Sequence, residues 1–421
     1  MFKKIKEAPL NYWEEKSYML AISKEDSEEY ITEGFERLSK FEGIEILDKD
    51  MNIQKGFISL KLLYEGDEYE VGIYPGSVSI PEYYLSRNFY FTEQEREELL
   101  QSTKSLTLFM EFNHDYQKSY QLQLKLAILF VPNLLGILDE SAERVLPARW
   151  VKLTAFSHVL PNPDSVFTVQ AVTGANQKVW LHTHGLCRCG ISELEILESD
   201  KENYQNHYNL ITTYAIYLLD KYKKREEVKG GAYIGRLVDG SLVVATSKSW
   251  VQGIKEYKHL KLGNLKDREG GHNTKTNIIF LYQSEEDEKK DILRKVSVYD
   301  QLWGENPLFF FSDEETSRMK NLALERFDYV EKAFKTKENS VLLKIGLPLK
   351  EKGKFEHIWF ELLEIKGDKF LAKLTQEPYD VSTMHTGDEA WYTVEDVTDW
   401  IIYTKDFAIN PDNVYLLEAF D

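Results

Sequence analysis

Glycine turns set between two runs of alternating apolar residues recur along this chain, and they constrain its fold more than any other feature. Glu65-Gly66-Asp67 separates Gly56 to Tyr64 from Tyr69 to Tyr74, Gly174-Ala175-Asn176 separates Val166 to Val172 from Lys178 to Leu181, and Asp239-Gly240 separates Ala232 to Leu237 from Ser241 to Ala245. Gly367-Asp368 and Gly387-Asp388 punctuate a further set, Ser340 to Ile345, His357 to Ile365, Lys369 to Leu374 and Ala390 to Val394. Such turns join antiparallel strands into hairpins. Segments of helical period lie between them. Thr92 with Glu95 is a capping box, Ser23 with Asp26 resembles another, and Tyr116 to Phe130, Tyr204 to Tyr222 and Ser312 to Phe334 carry apolar residues at helical spacing. The expectation is an α+β fold, with two mixed α+β units followed by a small β-rich carboxyl-terminal module, a barrel or roll.

The expected boundaries are 1–113 and 114–283 for the two units, 284–338 for a helical linker region and 339–421 for the β-rich module. The lysine-rich stretch from Lys261 to Asn277 reads as a flexible loop, and the charge run from Ser284 as a solvated face, so proteases should cut first in these two places.

Lys and Arg number 52 against 70 Asp and Glu, and the net charge of -18 repels phosphate backbones and anionic lipid. No nucleic-acid or membrane partner is expected. The apolar stretch Leu126 to Leu138 is broken by Pro132 and Asn133 and falls short of the roughly 20 residues that span a bilayer. The opening residues carry lysines with no apolar run after them, so no signal peptide is read. Cys187 and Cys189, the two cysteines, do not resemble a secreted disulfide framework, and the expected location is cytoplasmic.

The densest chemistry lies between Trp180 and Glu195. A strand ending at His184 places Trp180, His182 and His184 on one face, and Cys187, Arg188, Cys189, Glu193 and Glu195 follow closely. One reading is structural: His184 is bonded within the turn Gly185 to Gly190, Arg188 pairs with Glu193 or Glu195, and these carboxylates face an edge or solvent. On this reading no cofactor is expected. The other reading starts from His182-x-His184, with Ser192 and Glu195 eight and eleven positions after His184, and resembles the JAMM metalloprotease signature. That resemblance implies zinc on His182, His184 and Glu195, Ser192 at the oxyanion, and an earlier carboxylate, Glu140 or Glu143, as general base. Gly185 stands where that family has Pro, and Glu195 where it has Asp.

At the carboxyl end, His357-Ile358-Trp359, Gln376-Glu377-Pro378, Thr386-Gly387-Asp388 and Asp399-Trp400 together resemble a small bacterial module known only as a domain of unknown function. His182-Thr-His184-Gly-Leu with Arg188, Gly190, Glu193 and Glu195 resembles a second uncharacterised bacterial family found joined to the first. The resemblance implies a two-part protein without an established activity, and by association an interaction, immunity or accessory role toward another protein. Trp359 and Trp400 are expected to be largely buried in the last module. The alternative remains a zinc-dependent hydrolase.

Overall fold

The computed structural model describes residues 15–24, 27–52, 56–86, 88–174, 177–271, 273–303, 308–310, 312–336, 338–349, 351 and 354–419. Residues 1–14, Asp26, Ala175, Asn176 and His272, on which some sequence expectations fall, lie outside that set. The chain divides into two compact units, Met1–Val151 with Pro161–Phe310, and Lys152–Leu160 with Phe311–Asp421.

The first unit holds two sheets. Strands β1 (Ser17–Ser23), β2 (Ile44–Asn52), β3 (Phe57–Tyr64), β4 (Asp67–Ser77), β5 (Lys104–Met110), β6 (Gly136–Asp139) and β7 (Arg144–Pro147) pair antiparallel in the order β2-β3-β4-β5-β1-β6-β7. The Glu65-Gly66 turn joins β3 to β4, with Tyr64 opposite Asp67. Helices α1 (Ser27–Ser39) and α3 (Tyr116–Phe130) pack on each other beside this sheet, and Arg37 caps the last turn of α3 by donating from Nε to the Leu129 carbonyl at 2.6 Å. Leu20, Ile22, Leu138 and Val145 form another core with Val78, Leu85, Phe91 and Leu99. Leu99 lies on helix α2 (Glu93–Gln101), whose capping box forms as the sequence predicts: the Glu95 amide donates to Thr92 Oγ1 at 3.2 Å and the Thr92 amide to Glu95 Oε2 at 2.7 Å.

The second sheet runs β14-β11-β12-β13-β10-β9-β8, from β8 (Thr168–Thr173), β9 (Lys178–His184), β10 (Glu193–Asp200), β11 (Ala232–Arg236), β12 (Leu242–Ser249), β13 (Thr276–Tyr282) and β14 (Leu308–Phe309). β10 and β13 are parallel, while the other pairs are antiparallel. Trp180, Leu197, Ile278 and Phe280 join Tyr257 in one core, with Trp250, Ile254, Leu260 and Leu262 packed against it. After the short helix α4 (Ala148–Ala155), helix α5 (Tyr204–Lys223) buries Leu210, Ile211, Tyr214 and Leu219 and contacts β10. The expected charge run is a short capped helix, Glu285–Lys289, but Asp287 within it is buried and bonded to the Arg294 guanidinium at 2.9 and 3.0 Å.

In the second unit, β15 (Ser340–Pro348), β16 (Phe355–Lys366), β17 (Lys369–Leu374), β18 (Glu389–Thr393), β19 (Val397–Tyr403) and β20 (Ala408–Ile409) form a third sheet, ordered β18-β17-β16-β15-β19-β20 and antiparallel throughout. The fold is α+β, and this last sheet is open among the described residues: β18 and β20 lie at its two edges, so no barrel closes. The helix expected over Ser312 to Phe334 is two helices, Asp313–Glu325 and Phe327–Phe334. The break falls at Arg326 (φ -105°, ψ 18°), whose buried guanidinium donates to the carbonyls of Pro411 and Leu153 at 2.6 and 3.3 Å. Among the described residues no helix is long and apolar enough to cross a membrane.

Candidate functional site

β9 carries Trp180, His182 and His184 in a row of rings, 4.4 Å between the first two centroids and 5.0 Å between the second two. Glu195 of β10 lies opposite His182 in the antiparallel register and is fully buried. Its carboxylate is already engaged. Trp180 Nε1 donates to Oε2 at 2.8 Å, and Arg268 Nη2 donates to both oxygens at 2.7 and 2.8 Å. Burial raises the Glu195 carboxyl from its ordinary range, and the adjacent Arg268 opposes that rise. The guanidinium lies 4.7 Å from the Trp250 ring centroid and 5.5 Å from that of Trp180, and donates further to the carbonyls of Asn273 and Gly263. Arg268 therefore clamps the stretch that the sequence suggests is a flexible loop. It lies on a short 3-10 helix, Lys266–Gly271, and is buried.

Glu193 is buried too, contrary to an edge or solvent position. It accepts from Thr183 Oγ1 at 2.6 Å and from the amides of Gly185 and Cys187 at 2.8 and 3.0 Å. The turn after β9 is thus folded around a carboxylate, whose acidity burial weakens. Gly185 has φ +112°, and a Cβ there would stand 2.6 Å from the Val166 carbonyl oxygen, so this turn requires glycine.

Arg188 turns away from both glutamates. It donates to the two oxygens of Asp139 on β6 at 2.7 and 2.9 Å, to Ser17 Oγ at 3.0 Å and to the Val166 carbonyl at 2.5 Å. Its guanidinium also lies 5.1 Å from the Tyr120 ring centroid. The expected pairing of Arg188 with Glu193 or Glu195 is replaced by a tie from the second sheet to the first. Cys187 and Cys189 are free and buried, and burial pushes both thiols up, that of Cys189 to about 12.

His184 Nδ1 lies 3.5 Å from Glu143 Oε1, and Gln170 Nε2 holds the other oxygen of Glu143 at 2.8 Å. Glu143, one of the two carboxylates suggested as a general base, thus stands beside the histidine row. Ser192 is buried. His182, His184 and Glu195 do not converge as a ligand set, because Arg268 and Trp180 occupy the carboxylate. Among the described residues no three His, Cys, Asp or Glu side chains are grouped so as to hold a metal ion.

One polar chain escapes sequence reasoning. His207 of α5 sits between Ser199 Oγ, 2.7 Å from Nδ1, and Asp300 Oδ1, 3.0 Å from Nε2. Ser199 and His207 are each 1% exposed, so the hydroxyl meets no substrate and the chain ties β10 to α5 and to the segment around Asp300. A signal existed: His207 falls three and four residues before Leu210 and Ile211, on the apolar stripe of α5.

In the second unit, Trp400 is fully buried and donates from Nε1 to the Ala323 carbonyl at 2.9 Å. Trp359 is only half-buried, a departure from expectation, with the Lys344 ammonium 5.5 Å from its ring centroid. Lys344 pairs in register with Trp359 on β16 and Asp399 on β19. Burial raises the Asp399 carboxyl, which accepts from the Trp400 amide at 2.8 Å. His357 is exposed, 3.1 Å from Thr398 Oγ1, and partial desolvation together with Lys344 and Lys320 lowers its basicity. Pro378, Gly387 and Asp388 belong to the loop between β17 and β18. There the Gly387 amide donates to the Leu374 carbonyl, Asp388 accepts from the His385 amide at 2.8 Å, and His385 Nδ1 lies 2.6 Å from Glu377.

Residues 17–161 match the model described as protein of unknown function (DUF4026) N-terminal, residues 169–280 its C-terminal counterpart, and residues 319–410 the model described as uncharacterized protein conserved in bacteria (DUF2314). Comparison with curated proteins and with solved structures returned no match. Two matched halves in succession, followed by the third match within the second compact unit, place this chain in the DUF4026 family of proteins of unknown function, with a DUF2314 module after it.

Proposed function

We propose that this protein is a non-enzymatic interaction factor, of an immunity or accessory kind, that meets another protein through one face of its third sheet. The observation that carries this reading is the side-chain alternation on that sheet. Val341, Leu343 and Ile345 of β15 and Ile358 and Phe360 of β16 are buried, while Phe355, Trp391 and Tyr403 are 53%, 44% and 41% exposed. Trp391 pairs in register with Leu371, and half-exposed Leu342 with Ile401. Exposed aromatic side chains gathered on one face are enriched at protein interfaces, where they serve as anchors. In the first unit, by contrast, the charged groups around the histidine row are engaged in packing: Glu195, the carboxylate of the hydrolase reading, with Arg268, Glu193 with turn amides and Arg188 with Asp139. The same reading has no bound metal.

Photo-crosslinking in native cells tests it. A benzophenone side chain at Phe355 and, separately, at Trp391 is expected to capture the same polypeptide, and one at exposed Tyr233 in the first unit is not. No adduct at the two sheet positions, or the same adduct at all three, overturns the proposal. Elemental analysis of chelator-free protein is expected to find no zinc; near-stoichiometric zinc lost in a His182→Ala, His184→Ala variant would restore the hydrolase reading.

A further inference from the structure

On β1, Tyr18, Leu20 and Ile22 alternate with Met19 and Ala21 and so share one face of the first sheet. The core that includes Leu99 covers Leu20 and Ile22, while Tyr18 stays 38% exposed. On this open part of the face the register sets Tyr18 opposite Phe109 of β5 and Phe109 opposite Gly72 of β4, with Tyr74 two positions further along β4. A Cβ at Gly72 would stand 2.1 Å from Phe109 Cζ, so the far end of that ring is seated on bare backbone. Tyr18 stacks beside Phe109 with ring centroids 5.4 Å apart and 21° between planes, Phe57 lies at 6.1 Å and 31°, and Tyr74 at 6.2 Å and 57°. Phe57, Tyr74 and Phe109 are half-buried, so each keeps part of its surface toward solvent.

A cation already stands on this cluster. Lys16 Nζ lies 5.4 Å from the Phe109 ring centroid and 3.4 Å from Glu111, and both side chains are exposed. The surrounding charge favours a cation as well. Glu111 two positions past Phe109, Glu70 two before Gly72 and Asp50 opposite Ser59 place further carboxylates along the same face. Lys61, also on this face, is held by Glu68 at 2.6 Å, with Glu70 and Asp48 near it. In a chain of net charge -18, anions are repelled from such a surface. A primary ammonium is strongly hydrated and needs acceptors for its N–H groups, which Glu111 supplies to Lys16. A quaternary ammonium has no N–H to satisfy, so its methyl groups pack on ring faces while its charge meets their negative potential.

We propose that the rings of Tyr18, Phe57, Tyr74 and Phe109 bind the quaternary ammonium group of a small molecule, and that Lys16 is the internal occupant which this ligand displaces. Phe109 supplies the central ring face, and the other three rings flank the methyl groups. Lys16 leaves on its flexible exposed stem, and Glu111, released from it, faces the incoming charge. This inference is independent of the interaction surface on the third sheet.

Saturation-transfer NMR titration of the full chain with choline, with its uncharged carbon isostere dimethylbutanol and with the neutral sugar cellobiose tests it. Choline is expected to bind saturably and about fivefold or more tighter than the isostere, the scale of a cation on an aromatic face. Phe109→Leu is expected to weaken choline about fivefold or more, whereas Lys16→Gln, which clears the ring face, tightens it about threefold or more. Lys201→Gln, an equal change in net charge at an exposed residue elsewhere, is expected to leave it within about twofold. If Phe109→Leu fails to fold, the opposed effects of Tyr74→Leu and Lys16→Gln carry the comparison. Absence of saturable choline binding, an isostere that binds as tightly, a Lys16→Gln variant that tightens choline no more than Lys201→Gln does, or cellobiose binding that Phe109→Leu abolishes would each overturn the proposal.

Discussion

Arg188 and Asp139, 49 residues apart in sequence, are joined by two hydrogen bonds of 2.7 and 2.9 Å, and both side chains are almost wholly removed from water. Arg188 comes from the turn after β9 and Asp139 from the end of β6, so the pair couples the two sheets of the first unit. Arg144 adds a second cation 3.7 Å from the same carboxylate, so Asp139 serves two guanidinium groups.

Breaking one side of a buried pair leaves the other charge without compensation, which typically costs about 3–5 kcal/mol. Asp139→Asn is expected to lose at least that much in denaturant unfolding, because it leaves both arginines underpaired. Arg188→Met should lose less, since Arg144 still faces Asp139. Equal losses in the two variants would mean that Arg144 gains nothing from the carboxylate.

The Glu195 and Arg268 clamp makes a proteolytic prediction that reverses one half of the reading of sequence alone and keeps the other. Trypsin is expected to spare Lys261, Lys266 and Arg268 in the native chain and to cut first at exposed Lys289 and Lys290. Glu195→Gln removes the charge that holds Arg268, and cleavage between Lys261 and Lys275 should then become the early event. Early cuts there in the unaltered protein would show that the clamp does not hold the segment in solution.

Trp400 and Trp359 separate buried from half-buried indole on one sheet. Trp400→Ala is expected to cost about 3–5 kcal/mol as a large core deletion. Trp400→Phe, which keeps most of the volume but strands the Ala323 carbonyl, should cost about 1 kcal/mol from the lost bond. Trp359→Ala should cost no more than about 1.5 kcal/mol, the scale of partial burial plus a cation over its ring. Thermal or denaturant melts of the three variants order them.

Much of the fold was legible because local chemistry and tertiary packing agree. The Thr92 and Glu95 capping box, the Glu65-Gly66 turn and the shared face of Trp180, His182 and His184 each follow from spacing alone. What sequence could not reveal is long-range. Arg268 meets Glu195 across 73 positions and Arg188 meets Asp139 across 49, and no local pattern marks either partner. The side of Trp359 was hidden for a different reason. In His357-Ile358-Trp359-Phe360 three large apolar residues follow one another, so a period of two cannot tell which parity faces the core. The helix break at Arg326 was masked likewise, because apolar residues continue on both sides of it.

The exposed loop between β17 and β18 makes the pH prediction. His385 Nδ1 lies 2.6 Å from Glu377, whose other oxygen accepts from the Thr386 amide at 3.0 Å and its hydroxyl at 3.1 Å. The Thr386 amide and His385 hold Glu377 down at about 2, and Glu377 holds the imidazolium of His385 above its ordinary value of 6.5. Protonated His385 is favoured in the folded loop, so its contribution is full below 6.5 and fades as pH rises through the elevated folded value. Ionised Glu377 is favoured in the folded loop, so its contribution is full above the ordinary value of 4.5 and fades as pH falls toward about 2. The loop should be best ordered between those limits. An NMR titration of His385 reads this directly: Glu377→Gln is expected to return its midpoint toward 6.5, while Asp388→Asn, which alters a weaker influence on the same imidazole, should move it less. A midpoint unchanged by Glu377→Gln would mean that the pair does not form in solution.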